Sequence, residues 1–252
     1  RGERQHRHRQ QLMRLDEEDT SPLPSAASEE LSRLACALVA DADVVCLEDY
    51  DKGALTDALA QAVIAEAKRA ARPVLVDPAR LSDYSRYRGA DILTPNRDEL
   101  SIAVGRRFTN LDDVATAARE IVAQYGVRGV VATVDRDGAV VVEGDSPWQH
   151  LPTVPRSVYD NTGAGDAVLA MLAAAIAAGA DLISAAKLAN IAGGLEVERF
   201  GCVPIKADEV LAELRLEDRL RNGKLRSVEE LTAELTLRRD RGETVAFTNG
   251  CF

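Results

Sequence analysis

The chain has 252 residues, 46% hydrophobic and 29% charged, an ordinary globular composition with room for one good core. Its net charge of −10 argues against nucleic acid or an anionic membrane as main partner. The five arginines among residues 1 to 14 are a local exception; with no aromatic residues interleaved, they read as a solvated or substrate-facing edge.

In chain order, "SEELSRLACALVA" (28–40) predicts a helix with a serine cap and early acids. "DVVCL" follows as a short buried strand ending at Glu48, Asp49 and Tyr50. "TDALAQAVIAEAKRAA" is an amphipathic helix stopped by Pro73, and "PVLVDP" a strand ending at Asp77. "ADILTPN" is a strand running into Asn96, and "NLDDVATAAREIVAQYG" a helix capped by Asn110 and closed by Gly126. "GVVATVDRDGAVVVEG" predicts two strands joined by a turn on Asp137 and Gly138. "DNTGAGDAV" leads into an alanine-rich helix, and "DLISAAKLANIAGGLEVERFG" supplies a further helix or helix pair. From about residue 205 the chain turns highly charged and helical, with a break at Asn222-Gly223 and capping-box spacing between Ser227 and Glu230. "TVAFTNGCF" then reads as a first strand and its loop.

Strands and helices alternating at these lengths imply a mostly parallel sheet covered on both faces, with the hairpin as an antiparallel edge. Residues 167 to 180 are apolar, but the run is too short to span a bilayer and reads as a core helix. Cys36, Cys46, Cys202 and Cys251 lack CxxC spacing; Cys36 and Cys46 lie in apolar helix and strand patterns, so buried thiols in a reducing cytoplasm are the plain expectation. His6, His8 and His150 have no metal-ligand spacing to nearby acids or cysteines.

Each apolar strand ends in a polar cluster: 49–52, Asp77, 96–99 and 133–137. In open α/β sheets ligands sit beyond the carboxyl ends of the strands, so these clusters share one rim. Any single polar strand end is more often a turn; four of them with a glycine loop point to a site.

"DNTGAGDAV" fails as a dinucleotide fingerprint, because the third glycine slot holds Val168, and fails as a P-loop for want of lysine followed by serine or threonine. A bare helix cap needs one small polar residue rather than Thr-Gly-Ala-Gly-Asp. The remaining reading is an anion cradle: Gly163 and Gly165 let backbone approach a ligand, and the free amides and dipole of a helix start favour negative charge. Asp166 beside it could take a proton from a hydroxyl attacking phosphorus.

This stretch resembles the second signature of the ribokinase (PfkB) family of sugar kinases, Asp-Thr-x-Gly-Ala-Gly-Asp, with Asn161 then Thr162 as a mild departure. The resemblance implies a ribokinase-like three-layer α/β sandwich, Asp166 as catalytic base, and Gly163, Ala164 and Gly165 as anion hole. It also implies ATP with Mg²⁺ near Asn96 and Glu99 of "TPNRDEL", Glu99 acting on the metal indirectly. Thr133, Gly138 and Thr162 would lie near the nucleotide and Asn190 and Gly194 near its base, although Asp135 replaces a glycine of the family's Thr-x-Gly-x-x-Gly turn.

"QQLMRLDEED" and "EDYDKGAL" are similar to the heptose-7-phosphate kinase branch, and "GETVAFTNGCF" to the opening of its fused adenylyltransferase domain. That likeness implies a kinase domain over 1–212, then a helical linker and the first strand of a Rossmann-like nucleotidyltransferase over 213–252. It implies phosphorylation of heptose 7-phosphate to the 1,7-bisphosphate in ADP-heptose biosynthesis, a cytoplasmic setting, and a homodimer for the full-length enzyme. Lys52 and Asp49, with Arg14, are the candidate substrate contacts; a turn lysine is the bland reading of Lys52. The chain begins at Arg1 and stops at Phe252 after a strand-like segment, so a fragment lacking the family's early strands, lid and sugar-binding glycine pair is expected. The transferase histidines are absent too, so adenylylation is not expected of these residues. A PfkB-type kinase of another sugar or a nucleoside stays open, as does an inactive module used for binding or assembly.

Overall fold

The computed structural model of the chain describes residues 13–246 apart from 14, 16, 19, 22, 154–162, 200–202 and 223–227; the side chains of 217–222 and 229–230 lie outside the description. Strands β1 (Val45–Glu48), β2 (Val74–Asp77), β3 (Ile92–Leu93), β4 (Gly129–Thr133), β5 (Ala139–Glu143) and β6 (Gln149–Leu151) form one sheet in sequence order. The first four are parallel, and β5 and β6 continue the sheet antiparallel. The expected α/β architecture is therefore present, with β6 as an additional strand.

Helices α1 (Ser25–Val39), α2 (Asp57–Arg69), α3 (Arg97–Val104) and α4 (Leu111–Tyr125) precede or interleave the strands. Then follow α5 (Ala164–Ala177), α6 (Leu182–Glu196), α7 (Ala207–Asn222) and α8 (Val228–Asp240). Their starts follow local chemistry. Thr56, Asn110 and Asp181 each accept a hydrogen bond from the backbone amide three residues on. Gly105 and Gly126 close α3 and α4 in the left-handed conformation.

Alternation along the strands splits the core in two. Val74, Val76, Leu93, Val130 and Val140 face Leu59, Val63, Val114 and Ile121 of α2 and α4. Leu75, Ile92, Val131 and Val141 face α5 and α6 through Val168, Leu172, Leu182 and Ala189. Period two therefore makes a helix–sheet–helix sandwich, and the strands between its faces are apolar throughout.

Three expectations change. The first helix begins at Ser25, not at the serine-capped 28, because Ser-Ala-Ala extends it back to Pro24, whose fixed φ suits a helix start. Residues 97–104, for which the sequence reading named only the Asn96 and Glu99 motif and no element, form α3. Thr244–Ala246, expected to open a strand, have no strand structure, since no described strand offers them backbone partners; 247–252 lie outside the described residues, as does Ser227. Helix α7 runs unbroken through residues 212 and 213, with Val210 buried against Leu195 and Ile191 of α6. No described helix is long and apolar enough to cross a membrane.

Candidate active site

The carboxyl ends of β1 to β4 and the start of α5 meet at one rim. Gly163 sits at the head of α5 with φ 90°, a left-handed conformation that suits glycine, and makes no side-chain cap. The first intrahelical bond runs from the Ala167 amide to the Gly163 carbonyl at 2.9 Å. The amides of Ala164, Gly165 and Asp166 thus point out of the helix end, where geometry denies them intrahelical acceptors. Asp166 is exposed in the first turn and lines a groove of about 520 Å³ with Gly163, Ala170, Met171, Glu196 and Val203.

Beneath this helix end, parallel register sets Glu48 of β1 beside Asp77 of β2. Asp77 accepts a hydrogen bond from the Thr94 hydroxyl at 3.2 Å, and its other oxygen lies 3.3 Å from where a β-carbon on Gly165 would stand. A side chain at 165 would therefore crowd that carboxylate. Burial, reinforced by the charges of Glu99, Glu48 and Asp166, pushes the Asp77 pKa up to about 7. Burial likewise raises Glu48, with Asp166 adding to the effect, and burial raises Glu99. The Tyr50 hydroxyl lies 2.7 Å from Glu48 Oε1 and 3.1 Å from Asp166 Oδ1.

Asn96 and Glu99 form a reciprocal capping box on α3. The Glu99 amide donates to Asn96 Oδ1 at 2.9 Å, and the Asn96 amide donates to Glu99 Oε2 at 2.8 Å. Asn96 also bridges to Thr133 at the end of β4. Gly138 has φ 91°, and a β-carbon there would fall 2.1 Å from the Leu151 carbonyl, so the hairpin turn presses directly on β6. Asn190 of α6 donates to the carbonyls of Leu151 and Pro152 at 3.2 and 3.3 Å, and Gly194 is half-buried near the end of α6. Its neighbour Gly193 is the tighter contact, where a β-carbon would meet Val168 at 2.8 Å.

The candidate sugar contacts part company. Asp49 is buried, and internal partners use both its oxygens: the Asp51 amide at 2.8 Å on one, the Tyr87 hydroxyl at 2.6 Å and Arg86 at 2.8 Å on the other. These partners hold it within the fold. Lys52 is half-exposed and pairs with Glu18, in a segment whose carbonyls at Thr20 and Ser21 pass closely over Gly53. Arg14 and Thr162 lie outside the described residues. Sequence reasoning placed Glu48, Tyr50 and Asp77 at strand ends without giving them roles; their signal was the repetition of acids at successive strand ends.

A larger cavity, about 640 Å³, opens at the other end of the sheet between Arg72, Asp91 and Arg128. The carboxyl ends of α2, α4 and α5 converge there, and their dipoles oppose a phosphate. The rim at α5 is the better site for an anion.

The pattern that defines pfkB family carbohydrate kinases matches residues 10–208. The chain belongs to this family. Bifunctional protein HldE of Rhodospirillum rubrum is 40% identical over 244 residues, which is 96% of this chain and 49% of that protein. Bifunctional protein HldE of Paramagnetospirillum magneticum is also 40% identical over 244 residues. The chain spans about half the length of these curated relatives. Among solved structures, Escherichia coli phosphofructokinase-2 in complex with potassium superposes with a TM-score of 0.69 at 21% identity, covering 79% of this chain and 64% of that one. Arabidopsis thaliana ribokinase complexed with ribose and ATP gives 0.62 at 23% identity, covering 75% and 59%. These likenesses establish a shared pfkB and ribokinase-like fold.

Proposed function

We propose that this chain carries the phosphoryl-transfer site of a kinase that phosphorylates heptose 7-phosphate at its anomeric hydroxyl, with ATP as donor. The observation that carries the reading is the start of α5, where outward-facing amides at 164–166 adjoin the exposed carboxylate of Asp166. The kinship with HldE proteins over almost the whole chain supports the choice of a heptose phosphate.

In this reading the Gly163–Gly165 amides receive the charge that builds on the migrating phosphoryl group, and Asp166 accepts the proton of the attacking hydroxyl. Thr133, Gly138, Asn190 and Gly194 border the nucleotide. Among the described residues no three His, Cys, Asp or Glu side chains form a ready metal cage. A magnesium ion would arrive on the nucleotide and keep most of its waters, with Glu99 as an outer partner. When bound, such an ion neutralises charge on the β- and γ-phosphates. Lys52, once released from Glu18, is the cation closest to the proposed role of holding the sugar's own phosphate.

Asp166→Asn tests the reading. Turnover should fall at least about a hundredfold while nucleotide affinity, read by titration calorimetry, stays within a few-fold. Undiminished turnover removes Asp166 from the base role. A panel of sugars separates substrates: preference for an unphosphorylated sugar or a nucleoside rejects the heptose assignment while keeping the kinase.

A further inference from the structure

We propose that Arg97 is a positioning residue for the nucleotide, a clamp that holds the tight turn Asp135–Asp137 against the start of α3. The inference rests on the reading that the nucleotide borders Thr133 and Gly138, and it deepens that reading with a residue outside the motifs.

Arg97 opens α3, where a cation works against the helix dipole. A surface arginine with no other task is better placed at the far end of a helix. The side chain reaches instead to the turn after β4. Its Nε lies 3.2 Å from Asp135 Oδ2, and its Nη2 lies 2.9 Å from Asp137 Oδ2 and 3.4 Å from the Val134 carbonyl oxygen. A planar guanidinium that meets three acceptors fixes direction as well as distance.

The turn is held from its other side too. His150 Nε2 on β6 lies 2.6 Å from the Asp137 carbonyl oxygen, and Gly138 packs against the Leu151 carbonyl. The Val134 amide donates to the Gly138 carbonyl at 2.8 Å and closes the turn. Within it, Asp135 has φ 55°, in the left-handed region that favours glycine. An aspartate there strains the backbone where glycine would not, and its carboxylate is the group that reaches Arg97.

The clamp joins two sides of the proposed nucleotide rim. On one side Asn96 and Glu99 cap α3, and the Thr133 amide donates to the Pro95 carbonyl at 3.0 Å. On the other stands Gly138, beyond the turn. Arg97 directly follows Asn96, so fixing the turn to Arg97 fixes Gly138 relative to Asn96 and Glu99. The side chains of Asp135 and Asp137 are 77% and 50% exposed, so these pairs add little to stability. What they supply is order: a turn already in place is not ordered again when the ligand arrives.

The test is titration calorimetry of the full chain with ATP and Mg²⁺, beside urea unfolding of the same proteins. In Arg97→Ala the Kd for ATP should rise about tenfold, as expected when one or two side chains must be ordered on binding. Arg97→Lys keeps the charge but not the fork, and should bind about threefold more weakly than the parent. The double variant Asp135→Gly/Asp137→Asn should match Arg97→Ala. Adding Arg97→Ala to it should weaken ATP no further, because the acids and the arginine act as one unit. Urea midpoints should stay close to the parent's, since glycine relieves the strain at 135.

If charge alone matters, Arg97→Lys binds like the parent and the double variant binds ATP more tightly; either result overturns the clamp. So does an Arg97→Ala Kd within about twofold of the parent's. A loss of affinity that tracks a falling urea midpoint overturns it as well. A parent that binds ATP but transfers no phosphate to heptose 7-phosphate rejects the kinase reading, and the same affinities still decide the clamp. A parent that binds no ATP rejects both.

Discussion

Two acids, Asp49 buried and Asp77 partly buried, sit on the same rim at the ends of neighbouring strands and behave in opposite ways. Asp49, just past β1, is met by the Arg86 guanidinium at 2.8 Å and the Tyr87 hydroxyl at 2.6 Å. Arg86 also reaches Asp57 at 2.9 Å, and Tyr87 stacks edge-on against Tyr84 at 5.5 Å. Asp77, closing β2, has a threonine hydroxyl and three other carboxylates around it. A buried acid with a cation and two hydrogen bonds is finished business for the fold. A partly buried acid among like charges beneath a helix start is costly to the fold and useful to a site that receives a charged ligand. The contrast separates structural from functional acids where residue type alone does not.

Breaking the first neighbourhood should have the largest effect on stability. Arg86→Ala strands the Asp49 carboxylate, whose side chain is 2% exposed, and should lower unfolding free energy by about 3–5 kcal/mol in urea titrations. A loss below about 1 kcal/mol would mean that Tyr87 and the Asp51 amide satisfy the charge unaided.

Relieving the second neighbourhood should do the reverse. Asp77 has a folded pKa near 7 against an ordinary 3.8. Between those values the folded protein holds a proton that the unfolded chain has released, so parent stability declines as pH rises through that window. Asp77→Asn should therefore be more stable than the parent at pH 8, by up to about 4 kcal/mol, with the gap closing near pH 4. A pH-independent difference between the two proteins would show that the carboxyl is not strained by burial.

The smallest effect sharpens the comparison at its margin. Asn96→Ala removes one half of the α3 capping box and should cost about 1 kcal/mol, measured by the same titration. A loss well above that would mean that the Asn96 side chain does more for the fold than cap α3.

Much of this was legible in the amino-acid order. The alternating strands, the caps at Thr56, Asn110 and Asp181, and the Thr-Gly-Ala-Gly-Asp loop before α5 are local features, written in residues close together in the chain. Helix α3 was not read as such because its whole signal is Asn96 and Glu99, the pair that also invites a nucleotide role. Strand β6 is three residues long, with little apolar pattern to announce it.

By itself, then, the sequence determined the layered α/β order, the single rim of polar strand ends and the glycine-led helix start, because capping and periodicity act over a few residues. Only the tertiary structure decided which acids are neutralised. Arg86 reaches Asp49 from 37 residues away, Asp166 meets Tyr50 across 116, and Glu48 meets Asp77 through strand register. Partners that distant are chosen by topology and burial, and the electrostatics of the rim follows from them.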